Sequence, residues 1–178
     1  MEQTIDIVRL LIHENVIKTG DFVLKSGKKS KYYVDFRSLI SKPKLFSQLA
    51  SMLGNLLPNN KDFFLCGLPY AGIPYCVFIS THKEIPMIML RKEQKKYGTR
   101  KMIEGNIRSG EEVVLIDDIL TSGTSIIESL EYLKDYKVKK IVVILDRCEG
   151  GKQKLENMGF EVLSLFKIDD FTKCQNTL

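Results

Sequence analysis

Val113-Val114-Leu115-Ile116-Asp117-Asp118-Ile119-Leu120-Thr121-Ser122-Gly123-Thr124-Ser125 is the stretch whose reading decides the fold. Its first four residues are apolar and mostly β-branched, as expected of a strand buried on both faces of a parallel sheet. Two carboxylates follow where that strand is expected to end. A small turn of hydroxyls with one glycine comes next, and Ile126 to Leu133 reads as a helix. Strand, hydroxyl-rich turn and helix start together make an anion cradle, because the first N–H groups of a helix lack intrahelical partners and the helix dipole is positive there. A monophosphate suits such a turn. The aspartates cannot bind phosphate and need another partner: the hydroxyls of a ribose, or a Mg²⁺ shared with a phosphate. The plainer alternative stays open here, with Asp117-Asp118 as a helix cap plus a surface charge and Thr-Ser-Gly-Thr as an ordinary turn. No Gly-Lys-Ser/Thr ends the turn and no GxGxxG occurs, which sets aside the two commonest nucleotide loops.

Working outward, strands alternate with helices over the C-terminal two thirds. Phe63 to Cys66, Met87 to Leu90, Val113 to Ile116, Ile141 to Leu145 and Val162 to Phe166 read as buried strands. Helices are expected from about Ile73-Pro74, over Ile126 to Leu133 and over Lys152 to Met158. That alternation argues for an α/β fold with a central parallel sheet flanked by helices. In such sheets a site lies beyond the carboxyl ends of the strands, so the segments after residues 66, 90, 116 and 145 should share one rim.

The N-terminal third reads differently. Ile5, Val8, Leu11, Ile12 and Val16 recur at helical spacing, predicting a helix from about Gln3 to Lys18 that stops at Gly20. Short strands at Asp21 to Leu24 and Tyr32 to Asp35 flank Lys25-Ser26-Gly27-Lys28-Lys29-Ser30. This hairpin gathers cations and tyrosines, as a solvated turn or as a hood over an anionic, aromatic substrate. Pro43 opens a helix expected to run through Leu57.

Arg91-Lys92-Glu93-Gln94-Lys95-Lys96-Tyr97-Gly98-Thr99-Arg100-Lys101 interrupts the alternation. It is too long and polar for a plain connection and reads either as a solvated charged hairpin or as a basic lid over a diphosphate.

Composition is that of an ordinary globular chain of 178 residues, with 44% hydrophobic and 28% charged residues, enough for one domain with a sizeable core. No run is long and apolar enough to span a membrane, and Met1-Glu2-Gln3 does not open a signal peptide. Cys66, Cys76, Cys148 and Cys174 form no CxxC pair, which favours a reducing cytoplasm over disulfide or metal use. His13 and His82 stand apart from each other and from the motifs. The net charge of +5 fits anionic small molecules or nucleic acid.

The apolar strand, paired aspartates and Thr-x-Gly-Thr resemble the phosphoribosyl-diphosphate signature of the type I phosphoribosyltransferases. Four further stretches resemble the orotate phosphoribosyltransferase family in particular: Phe22 to Ser30 with Tyr33, Gly67-Leu-Pro-Tyr-Ala-Gly72, Arg91 to Gly98, and Leu145-Asp-Arg-Cys-Glu-Gly-Gly151. Together they cover nearly the whole chain. The resemblance implies one phosphoribosyltransferase domain over residues 1–178, with a hood mainly from 1–40 and a mobile loop over 91–108. It implies a Mg²⁺-dependent transfer from 5-phospho-α-D-ribose 1-diphosphate to orotate, with the ion held by diphosphate, ribose hydroxyls and water rather than by protein ligands.

The site residues follow from the same resemblance. Thr121, Ser122, Gly123, Thr124 and Ser125 would hold the 5′-phosphate, with Asp117 and Asp118 on the ribose and Ile119 and Leu120 between them. Tyr70, Ala71, Lys25, Arg91, Lys92, Lys95 and Tyr97 would attend the diphosphate, with Lys92 and Lys95 joining the aspartates in catalysis. Orotate would meet Lys25, Tyr33, Val34, Thr121 and Arg147, the last through its carboxylate. A homodimer sharing the loop between subunits is implied, with neither nucleic acid nor membrane as partner. The chain departs from the family in having Tyr97 where His is frequent and Ala71 where Lys is frequent. The first weighs against a histidine general acid, and the second leaves the diphosphate to the loop cations. A purine phosphoribosyltransferase is the nearer alternative, disfavoured by the hairpin and Arg147. A donor-sensing, nucleic-acid-binding regulator of the same fold has only the net charge behind it.

Overall fold

The computed structural model describes residues 2–23, 27, 29–93 and 102–175. They fall into two compact units, Met1–Pro43 with Ile168–Leu178, and Lys44–Lys167.

The first unit holds α1 (Glu2–His13), a hairpin of β1 (Ile17–Val23) and β2 (Lys29–Val34), a 3-10 turn over Phe36–Ser41, and α6 (Ile168–Gln175), which packs on α1. The first helix is shorter than its periodicity predicts. Asn15 takes a left-handed φ of 56°, and the Val16 and Asn15 N–H groups donate back to Leu11 and Ile12 carbonyls at 3.0 Å each. This is a Schellman stop, for which asparagine is the usual substitute for glycine. The β-branched Val16 and Ile17 then enter a strand side instead of a fifth helical turn. Gly20, expected as the stop, lies inside β1 where the pairing shifts register between Thr19 and Phe22. Asp35 ends the hairpin and caps the 3-10 turn, its carboxylate accepting from the Arg37 N–H at 3.2 Å.

In the second unit a six-stranded sheet has the order β5-β4-β3-β6-β7-β8. The strands are β3 (Phe64–Gly67), β4 (Met87–Leu90), β5 (Ile103–Glu104), β6 (Glu112–Leu120), β7 (Lys137–Asp146) and β8 (Glu161–Lys167). All neighbours are parallel except β4 with β5. The helices are α2 (Pro43–Gly54), α3 (Gly72–Lys83), α4 (Thr124–Leu130) and α5 (Gly151–Asn157). Val113, Val114, Leu115 and Ile116 are all buried, as their uniform apolarity requires. Several expected boundaries move, with β7 starting at Lys137 and α4 running from Thr124 to Leu130. The helix from Pro43 stops at Gly54, and β6 continues past Ile116 to Leu120 because β7 supplies partners for Ile119 and Leu120 at Leu145 and Asp146. The parallel register brings the carboxyl ends of β3, β4, β6 and β7 to one rim, as expected.

Candidate active site

Asp117 and Asp118 lie in the last part of β6, and the residue capping α4 is Gly123, with φ 76°. The aspartates are therefore not the helix cap. Each carboxylate instead accepts the next backbone N–H, Asp118 to Asp117 at 2.9 Å and Ile119 to Asp118 at 2.8 Å. Asp117 is buried, and burial, reinforced by the charge of Asp118, raises its pKa well above the carboxylate norm. Asp118 is only partly buried, so it is the more exposed carboxylate of the pair. Past the strand, the hydroxyls of Ser122 and Thr124 lie 2.9 Å apart, both exposed, and Thr121 is half-buried at the base of the turn. Tyr75 on α3 is buried against Phe46, ring centroids 4.6 Å apart. Burial and then the charge of Asp118 push its phenol pKa upward, a neighbour for the aspartate that helical periodicity does not distinguish from core.

The turn between β3 and α3 meets β6 closely. The Leu68 N–H donates to the Ile116 carbonyl at 2.9 Å, and a Cβ on Gly72 would overlap that same oxygen. Glycine at 72 is what lets the start of α3 reach the aspartate strand. Ala71 is buried, Tyr70 is 67% exposed, and the peptide between Pro69 and Tyr70 is cis. Lys92 Nζ stands 5.2 Å from the centroid of the Tyr70 ring. Tyr70 and Lys92 line a cavity of about 390 Å³ together with Arg91, Glu93 and Glu104. Arg91, expected at a diphosphate, is brought to this cavity but also pairs with Glu104 at 2.6 Å. Its N–H donates to the Met102 carbonyl at 2.8 Å, so the two ends of the basic segment meet. Lys25, Lys95 and Tyr97 lie outside the described residues.

The third component is the turn between β7 and α5. Asp146 is buried, and its carboxylate accepts the Cys148 N–H at 2.9 Å while Cys148 takes a φ of 55°. The Arg147 N–H donates to the Leu120 carbonyl and the Gly151 N–H to the Thr121 carbonyl, both at 2.9 Å. A Cβ on Gly151 would overlap the Thr121 oxygen. The Arg147 side chain is 10% exposed, and its Nε forms an ion pair with Glu149 Oε1 at 3.0 Å. Glu149 was not foreseen as a site residue; its signal is the opposite charge two residues after Arg147, between left-handed Cys148 and the glycine pair.

In the first unit, Tyr33 is 38% exposed on β2, its ring centroid 5.7 Å from that of Phe22, and Val34 is buried opposite Ile17. Among the described residues no three histidine, cysteine or carboxylate groups converge as a metal cage. The adjacent aspartates suit a hard cation that takes most of its ligands from phosphate and water. No helix among those residues is long and apolar enough to cross a membrane.

Residues 38–172 match the family model of the phosphoribosyl transferase domain. The chain is 35% identical to the orotate phosphoribosyltransferase of Pyrococcus horikoshii, covering 97% of this chain and 95% of that protein. It is 38% identical to uridine 5′-monophosphate synthase of Bos taurus over 89% of its length, but spans only 34% of that longer protein. The crystal structure of orotate phosphoribosyltransferase from Aeropyrum pernix superposes with a TM-score of 0.85 at 28% identity, covering 97% of this chain and 99% of that one.

Proposed function

This chain belongs to the orotate phosphoribosyltransferase family, and from that premise we propose that it transfers the 5-phosphoribosyl group of 5-phospho-α-D-ribose 1-diphosphate to orotate. The products are orotidine 5′-monophosphate and diphosphate, in pyrimidine nucleotide synthesis. The observation that carries the reading is the joining of two turns on one rim. The hydroxyl turn after Asp118 and the turn bearing Arg147 are tied by the two backbone hydrogen bonds at Leu120 and Thr121. A phosphate bound by the first would lie beside an arginine suited to an acceptor's carboxylate.

The reaction forms a bond from the acceptor nitrogen to the anomeric carbon while the C–O bond to diphosphate breaks, the electron pair leaving with diphosphate and the acceptor's N–H proton passing to solvent. Positive charge grows on the ribose and negative charge on the leaving group. Asp118 answers the first, while burial biases Asp117 toward its neutral acid. Arg91, Lys92 and Lys95 answer the second, with Tyr70 and the Ala71 backbone. Mg²⁺, when bound, adds positive charge at the diphosphate oxygens. Thr121 to Ser125 take the 5′-phosphate, and Arg147 takes orotate. A homodimer whose basic loop, through Lys95, serves the partner's site belongs to the same proposal.

Following orotate loss by ultraviolet absorbance tests the assignment, with adenine, hypoxanthine and uracil as parallel acceptors. Orotate should disappear only when both donor and Mg²⁺ are present. Consumption of a purine with orotate untouched would overturn it.

A further inference from the structure

We infer that Glu149 is a positioning residue for the acceptor, holding the guanidinium of Arg147 in the plane that reads a carboxylated pyrimidine. This deepens the reaction proposed above and rests on Arg147 meeting orotate. The ion pair is short and shielded: Nε to Oε1 is 3.0 Å, with side-chain exposures of 10% and 24%. At such burial the attraction is screened far less than between solvated charges, and an ion pair at Nε holds a flexible side chain near one orientation.

The backbone around Glu149 is fixed on both sides. Arg147 is bound through its N–H to Leu120, and Gly151 to Thr121. Between them the buried Asp146 carboxylate accepts the Cys148 N–H, and the left-handed Cys148 closes the turn. Glu149 therefore sits on a rigid segment registered against the phosphate turn. A planar guanidinium binds a carboxylate well only when the two planes align, so fixing that plane acts on the acceptor and not on the donor. The carboxylate also offsets the arginine's charge, which disfavours capture of anions that lack the matching shape.

A residue that only stabilised the turn would weaken donor and acceptor alike, and the test is built on that difference. Full-length Glu149→Ala is expected to raise the orotate KM about tenfold or more, with kcat at saturating orotate and donor Kd within about twofold of wild type. Glu149→Gln keeps an oxygen acceptor for Nε and should restore the orotate KM to within about threefold of wild type. An unchanged orotate KM in the alanine variant, equal weakening of donor and orotate, or a glutamine variant as impaired as alanine would each overturn the inference. If thermal melts show that the alanine variant is unfolded, Glu149→Asp decides. Its shorter side chain draws the carboxylate off Nε, and a wild-type orotate KM there refutes positioning. A wild-type protein inactive on orotate sinks the reaction itself and this inference with it, whereas active wild type with an indifferent Glu149→Ala sinks only the inference.

Discussion

Gly151→Ala places its perturbation at the first residue of α5 and should register its effect in the donor site. A Cβ at 151 would overlap the Thr121 carbonyl oxygen and come within 2.8 Å of the Gly123 nitrogen and 2.9 Å of Leu120 Cδ1. Carbon-to-oxygen contacts normally settle at about 3.3 to 3.6 Å, so the two turns must part by roughly 1 Å. The obstacle is backbone, which cannot rotate aside as a flexible side chain can. Parting also stretches the 2.9 Å bond from the Gly151 N–H to Thr121. Overpacking costs about 1–3 kcal/mol and the lost hydrogen bond about 1 kcal/mol more. In an unobstructed helix the same change stabilises by about 0.5–1 kcal/mol, so the sign of the stability change is itself diagnostic. A net loss of about 2 kcal/mol should lower Tm by roughly 4–8 °C. Displacing the phosphate turn by about 1 Å can cost on the order of a hundredfold in kcat/KM. Donor affinity should fall at least about tenfold, or about 1.4 kcal/mol, by calorimetric titration. Gly150→Ala is the control. Gly150 has a φ of 91° but nothing within 4 Å of an added Cβ, so it should lose stability and keep donor affinity. Normal donor binding in Gly151→Ala, or equal weakening in both variants, would refute the steric coupling of the two turns.

Asp118→Asn should lower kcat/KM by at least about tenfold with the fold intact by circular dichroism, since it removes the more exposed carboxylate of the pair proposed to meet the ribose. Arg147→Ala should weaken orotate by on the order of 2 kcal/mol or more while leaving the donor nearly unaffected, as titration of each ligand would reveal. Asp117→Asn should raise Tm near neutral pH. The folded pKa of Asp117 is raised, so its favourable contribution is present below the ordinary carboxylate range and is lost as pH rises through the folded value. The gap between variant and wild type should accordingly narrow as melts are taken at progressively lower pH. A constant gap would show that Asp117 does not carry that linkage.

Periodicity and residue chemistry were enough to place the parallel sheet, the hydroxyl-rich turn and the aspartates, because burial on two faces and a helix start leave local marks. Val113 to Ile116 could hardly be anything but an interior strand, and Thr121 to Ser125 carries its glycine where the backbone needs a left-handed residue. The resemblance to a known family added the acceptor, which no local pattern names. Tertiary structure decided what depends on partners distant in sequence. It carried β6 through both aspartates by pairing its end with β7, and it set Arg91 against Glu104 thirteen residues away. It also ended α1 at His13, ahead of the left-handed Asn15 where the chain turns back to pair as β1, and docked α6 on α1. The approach of Gly151 to Thr121 is the clearest case. A glycine pair marks a turn in any sequence, but only the register of β6 against β7 determines which carbonyl stands where its missing side chain would be.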